Sequence, residues 1–179
     1  MKIPDREEAI CIMKRVGCSQ PIIEHCISVS RIALELAWEI RGRGMEIDMK
    51  LVEAGALLHD IGRCRTHSVE HGAIGGQMAR GMGLPEPLVR IIERHVGGGI
   101  TPEEAEKLGL ERGNYIPETL EEKIVAYADK LIEGERRIPI EETIEKFAEE
   151  LGREHPAIER LRALHEEMSR LINLGMTEK

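Results

Sequence analysis

Residues 57–67 read LLHDIGRCRTH: an apolar helical run ends on a histidine and an aspartate side by side. A buried imidazole and carboxylate are costly unless hydrogen-bonded, paired or bound to a metal. Further donors stand along the chain: His25 in HCISV, His71 in EHGAIGG, His95 in IERHVGG and Asp129 in AYADKL. Side chains of this kind on separate helices can converge on one interior point, which is how helical bundles build metal sites. Neutral imidazole combined with carboxylate oxygen suits iron, manganese, zinc, cobalt or nickel, whereas calcium and magnesium sites are mostly oxygen. His155 and His165 belong to no such grouping and read as hydrogen-bonded residues of apolar helical faces.

The elements that must position these donors all carry helical periodicity. Asp5 with Glu8 forms a capping box for a first helix, and Gly17 ends it. Ser19 and Pro21 start a longer helix whose Ile22, Cys26, Val29, Ala33, Leu36 and Ile40 make one stripe. Asp48 caps a third, with Ala54, Leu57, Leu58 and Ile61 facing the core and Gly62 as its stop. Helices near 68–82 and 86–96 follow, separated by MGLPEP; no strand pattern is visible. The glycines 97–99 open a lid-like irregular segment that runs to about 117 and holds a short helix capped by Thr101 and Glu104. A helix over 118–133 and, after GERRIP, two amphipathic helices complete an all-α reading. Ile140, Ile144, Phe147, Ala148 and Leu151 make the apolar face of the first of that pair; Ile158, Leu161, His165, Met168 and Ile172 make that of the second.

Composition narrows the function classes. A chain of 179 residues with 41% apolar and 32% charged residues suits one soluble globular domain. It shows no apolar run of transmembrane length and no signal-peptide pattern, so a cytoplasmic setting without membrane contact is expected. The net charge of -8 argues against an extended nucleic-acid surface, and Trp38, Tyr115, Tyr127 and Phe147 are the whole aromatic set. Cys11, Cys18, Cys26 and Cys64 form no CxxC pair and read as reduced, partly buried thiols.

The early His25, the adjacent His59-Asp60 followed by IG, and the late Asp129 occur in the order that marks the HD-domain metal-dependent phosphohydrolases. The chain resembles that family over about residues 20–134. The resemblance implies an HD-domain helical bundle, set at 1–136; the two amphipathic helices over 137–179 read as a C-terminal helical hairpin packed on the core or on a partner subunit of a homodimer. It implies that His25, His59, Asp60 and Asp129 hold one divalent transition metal. His71 and His95 resemble the further ligands of the two-metal branches, where Asp60 would bridge to a second ion. RHVGGGITPEE lacks the paired histidines and the GYP motif of the branch that cleaves cyclic dinucleotides, so that substrate is not carried over. With neutral histidines, one ion leaves the two aspartates near charge balance, whereas two ions leave about two positive charges to attract phosphate. Two ions are therefore expected.

The implied activity is hydrolysis of a small phosphorylated molecule, a nucleotide, by attack of a metal-bound hydroxide on phosphorus. Arg63 is the candidate phosphate clamp, because guanidinium binds phosphate through two hydrogen bonds. Lys130 is a second cation beside Asp129, and His67 can protonate the leaving oxygen. The alternative is a non-catalytic metal- or nucleotide-binding module that serves as a sensor or assembly partner.

Overall fold

The computed structural model describes residues 2–173, so the last six positions of the 137–179 hairpin lie outside the described residues. The chain runs through α1 (Arg6–Val16), α2 (Gln20–Arg41), α3 (Met49–Leu58), a 3-10 turn (Ile61–Cys64), α4 (His71–Gly81), α5 (Glu86–Arg94), α6 (Pro102–Lys107) and α7 (Leu120–Lys130). Strands β1 (Ile132–Glu133) and β2 (Arg136–Arg137) follow, then α8 (Ile140–Leu151) and α9 (Pro156–Asn173).

Helix boundaries follow local chemistry. Asp5 accepts from Glu8 N at 3.0 Å while Glu8 Oε2 accepts from Asp5 N at 2.8 Å. Asp48 caps α3 through Lys50 N and Leu51 N, and Thr101 with Glu104 forms the capping box of α6. Long α2 is the spine, packed on α3 and α7; α4 and α5 pair beside them. Cys26, Val29, Ala33 and Ile40 on α2 and Leu57, Leu58 and Ile61 around the end of α3 are fully enclosed, which holds the His59-Asp60 junction rigidly.

Two local expectations are corrected. The helix expected over 118–133 ends at Lys130, and strands follow where none was expected: Ile132 and Glu133 pair with Arg137 and Arg136 in a tight antiparallel hairpin that turns through Gly134. Strands of two residues carry no period-2 pattern, which is why none is visible in the sequence. Gly62 does not stop α3, which ends at Leu58; the chain continues through Gly62 in the 3-10 turn. Its lack of a side chain serves packing, since a Cβ there would lie 1.9 Å from His71 O.

The segment 97–117 is tied in place. Ile100 and Tyr115 exchange backbone hydrogen bonds, and Arg160 of α9 donates to Gly99 O at 3.0 Å and to Glu104 at 2.7 Å. Gly98 packs on α9, where a Cβ would meet Ala157 O at 2.7 Å. The pair α8 and α9 forms a hairpin, with α9 seated on α7 and α2.

Candidate metal centre and the cleft above it

Each donor is brought in by a different piece of backbone. His25 comes from the first turns of α2, His59 and Asp60 from the junction after α3, His71 from the first residue of α4, His95 from the residue after α5, and Asp129 from α7. The four rings share one arrangement. Nδ1 faces a backbone carbonyl in every case: Gly134 O at 2.8 Å for His25, Ala56 O at 2.7 Å for His59, Ser68 O at 2.7 Å for His71 and Ile92 O at 2.8 Å for His95. A carbonyl only accepts, so the proton sits on Nδ1 and the Nε2 lone pair points inward, the orientation that metal-ligating imidazoles need. The small β-hairpin thus serves the site, because its turn residue Gly134 orients His25.

The Nε2 atoms meet the carboxylates in two groups. His25 Nε2 and His59 Nε2 lie 3.0 and 3.4 Å from Asp129 Oδ1. His71 Nε2 and His95 Nε2 lie 3.2 and 3.3 Å from Asp60 Oδ1, while Asp60 Oδ2 lies 3.7 Å from His59 and 3.9 Å from His25. Asp60 therefore presents one oxygen to each group. The donor atoms of His25, His59 and Asp129, and those of His59, Asp60 and His95, fall within 4.8 Å of one another.

The donor set fits a metal on physical grounds. His59 Nε2 and Asp60 Oδ1 are buried with no hydrogen-bond partner among the described residues, a condition proteins avoid unless something else supplies one. His71 Nε2 and His95 Nε2 face each other at 3.0 Å although both rings already carry their proton on Nδ1. A cation held between His71 and His95 would relieve that repulsion, and neutral imidazole nitrogens are ordinary ligands for one.

Electrostatics point the same way. Burial pushes His95 down to about 4, which keeps the ring neutral. Burial works against the charged form of Asp60, but its close contacts with His59, His71 and His95 outweigh it and hold the carboxyl well below the usual range. Asp129 is held low in the same way, against burial, by Lys130 and then by His25 and His59. His25 runs the other way in the metal-free protein, where burial is overcome by the Asp129 carboxylate beside it and the ring is pushed up.

The remaining candidates line the approach. Arg63 Nε donates to Asp60 Oδ2 at 2.6 Å, and the side chain lines the cleft above the donors. Lys130 is buried rather than solvated; Nζ bonds Asp129 Oδ2 and donates to His95 O at 3.1 Å. His67 is exposed on the loop after the 3-10 turn and lines the same cleft. Burial pushes the Cys18 thiol up to about 12 and Cys26 well above the thiol range, so both act as packing groups.

The cleft has a volume of about 770 Å³ and is walled by the 97–108 segment, α8 and the start of α9. His155, read from sequence as a core residue, belongs to this wall: its Nδ1 accepts from Ala157 N at 3.2 Å at the start of α9. Phe147 and Leu151, read as core, also line it. His165 lies elsewhere, against the Tyr127 hydroxyl at 2.8 Å. No described helix is long and apolar enough to cross a membrane.

Comparison with known proteins follows the same lines. The family model of the HD domain matches residues 22–134. An uncharacterized protein of Methanocaldococcus jannaschii is 50% identical over 166 residues, covering 93% of this chain and 98% of that one. The tRNA (cytidine(56)-2'-O)-methyltransferase of Picrophilus torridus is 41% identical over 176 residues, covering 98% of this chain; the chain spans 50% of that protein's length. Among solved structures, the HD domain of the L. monocytogenes phosphodiesterase PgpH in complex with cyclic-di-AMP superposes with a TM-score of 0.56 at 15% identity, over 94% of this chain and 98% of that one.

Proposed function

The chain belongs to the HD-domain family, and from that premise we propose that it is a metal-dependent phosphohydrolase acting on a nucleotide or a similarly small phosphorylated molecule. The observation that carries this reading is the set of four imidazoles, each fixed through Nδ1, whose Nε2 atoms converge with two carboxylates at the floor of a cleft. In the proposed assignment His25, His59 and Asp129 hold one divalent ion, His71 and His95 hold a second, and Asp60 serves both. Such ions, when bound, lower the pKa of water toward neutrality and polarise phosphoryl oxygens.

The chain's own groups complete the site. Arg63, held by its Nε to Asp60, has its terminal nitrogens available for a phosphoryl oxygen. In this scheme Lys130 positions Asp129 and ties it to the backbone of His95. His67, exposed at the cleft, supplies a proton to the leaving oxygen in this scheme. The phosphodiesterase PgpH, whose HD domain shares this fold, is one precedent for phosphodiester chemistry on it.

The test is a screen of phosphomonoesters, phosphodiesters and nucleoside triphosphates with the chain loaded in turn with manganese, iron, cobalt, nickel or zinc. Turnover that disappears in Asp60→Ala supports the reading. A fully loaded protein that turns over none of these classes sinks it.

A further inference from the structure

Helix α8 carries an apolar stripe wider than its packing requires. Ile144 and Ala148 turn to the protein interior, but Phe147 and Leu151 line the cleft, and Leu151 is 44% exposed. With Thr143, Lys146 and Glu150 they form one continuous helical face, spaced three and four residues apart, along the cleft wall. Thr143 Oγ1 donates to Lys130 O at 2.6 Å, which anchors the start of this face beside the donors. One turn later the Phe147 ring edge reaches Gly97, two residues beyond His95, where a Cβ would lie 3.5 Å from Cε1.

The rim is apolar too. Five large hydrophobic residues are exposed among the described residues, and three of them, Val69, Leu108 and Leu151, line this one cleft. Three separate segments thus bring exposed apolar side chains to one cleft, the kind of lining that small-molecule sites have. Above the donors, Arg63 and Lys130, the cleft walls are balanced in charge, with Lys107, Lys146 and Arg160 against Glu104, Glu133 and Glu150. Arg160 pairs with Glu104 and Lys146 with Glu133, which leaves Glu150 and Lys107 without an ion-pair partner among the described residues.

We propose that this outer half of the cleft is a nucleobase subsite, with Phe147, Leu108 and Leu151 as its apolar surfaces, and that the substrate is a phosphodiester bearing a nucleoside on the side of α8. The inference rests on the phosphohydrolase reading and narrows it. A wall of balanced charge offers nothing to hold a chain of phosphates, so a triphosphate group does not belong there. A base does: it is flat, apolar on its faces, and carries amino donors and ring acceptors at its edge for Glu150 and Lys107. An acyl chain would leave both of those charges unmatched. The volume, about 770 Å³, lies in the upper part of the roughly 300–1,000 Å³ range of small-molecule sites, room for more than a lone phosphate and sugar.

The test compares two substrates of the manganese-loaded full chain: a dinucleoside monophosphate and its analogue in which one nucleoside is abasic. The base is expected to raise kcat/KM by about ten- to a hundredfold, the usual range for stacking on an aromatic side chain. Phe147→Ala should bring that ratio close to one, and Phe147→Tyr should keep it. A ratio near one in the unaltered chain, or an unchanged ratio in Phe147→Ala, overturns the subsite. If neither diester is cleaved, the phosphodiester assignment fails while the phosphohydrolase reading stays with the screen above, and calorimetric binding of a phosphorothioate dinucleotide then decides the base subsite. Affinity about tenfold weaker in Phe147→Ala upholds the subsite; equal affinity overturns it.

Discussion

Gly62→Ala probes how the site is built without touching a donor. A Cβ at this position would lie 1.9 Å from His71 O, 2.8 Å from Gly75 N and 2.9 Å from His71 C, all backbone atoms that cannot swing aside. Since Cβ atoms do not come closer than about 3.0 Å to such neighbours, the start of α4 must retreat from the 3-10 turn by about 1.1 Å. Overpacking of this kind costs about 1–3 kcal/mol, and a rigid backbone clash places it at the upper end. For a chain of this size that is a fall in melting temperature of about 6–12 °C. The displaced element carries His71, whose Nε2 stands 3.0 Å from that of His95, while metal distances tolerate only about 0.2 Å. Metal affinity at the His71–His95 pair should therefore drop by more than about tenfold, within the range for losing a supporting contact. Thermal unfolding followed by circular dichroism reads the first effect and titration calorimetry the second. A variant that melts with the parent and binds metal as tightly would refute the close packing that the structure shows.

Three further outcomes are expected. Lys130→Met removes the buried ammonium beside Asp129 and leaves the carboxylate only its histidine neighbours, so the metal-free protein should lose about 3 kcal/mol in urea unfolding, and the metal-loaded protein clearly less. In the metal-free protein His95 is neutral when folded, with its pKa lowered to about 4 from an unfolded value near 6.5, so its contribution is complete above pH 6.5 and is lost as the pH falls toward 4. The urea midpoint should decline over that window and decline less in His95→Gln. Chelation should lower the melting temperature reversibly, since free metal at a hundred times its Kd stabilises by about 2.7 kcal/mol per site; an identical melting curve with and without chelator would count against a native metal.

The donors were legible because their chemistry shows in residue type and order. The His59-Asp60 pair at the end of an apolar run, with His25, His71, His95 and Asp129 on separate helical segments, already pointed to one interior cluster. What orients them was not legible. Gly134 reaches His25 only because a two-residue hairpin folds over α2, a contact across 109 positions with no local signature. Gly62 looked like a helix stop because sequence shows glycine's freedom but not the backbone that packs against it. Phe147 and Leu151 fell into the core stripe of α8 because periodicity identifies an apolar face but not whether protein or cleft covers it. His155 was hidden for the same reason. Its partner is a backbone amide at the start of α9, invisible to spacing.

The proposed chemistry depends on two ions occupying the space between these six side chains. Anomalous diffraction from crystals grown with manganese or zinc tests this without any assay of activity. Two peaks per chain are expected, one among His25, His59 and Asp129 and one between His71 and His95, with Asp60 touching both. A single peak would contradict the two-ion assignment, and no peak there at saturating metal would contradict the metal centre itself.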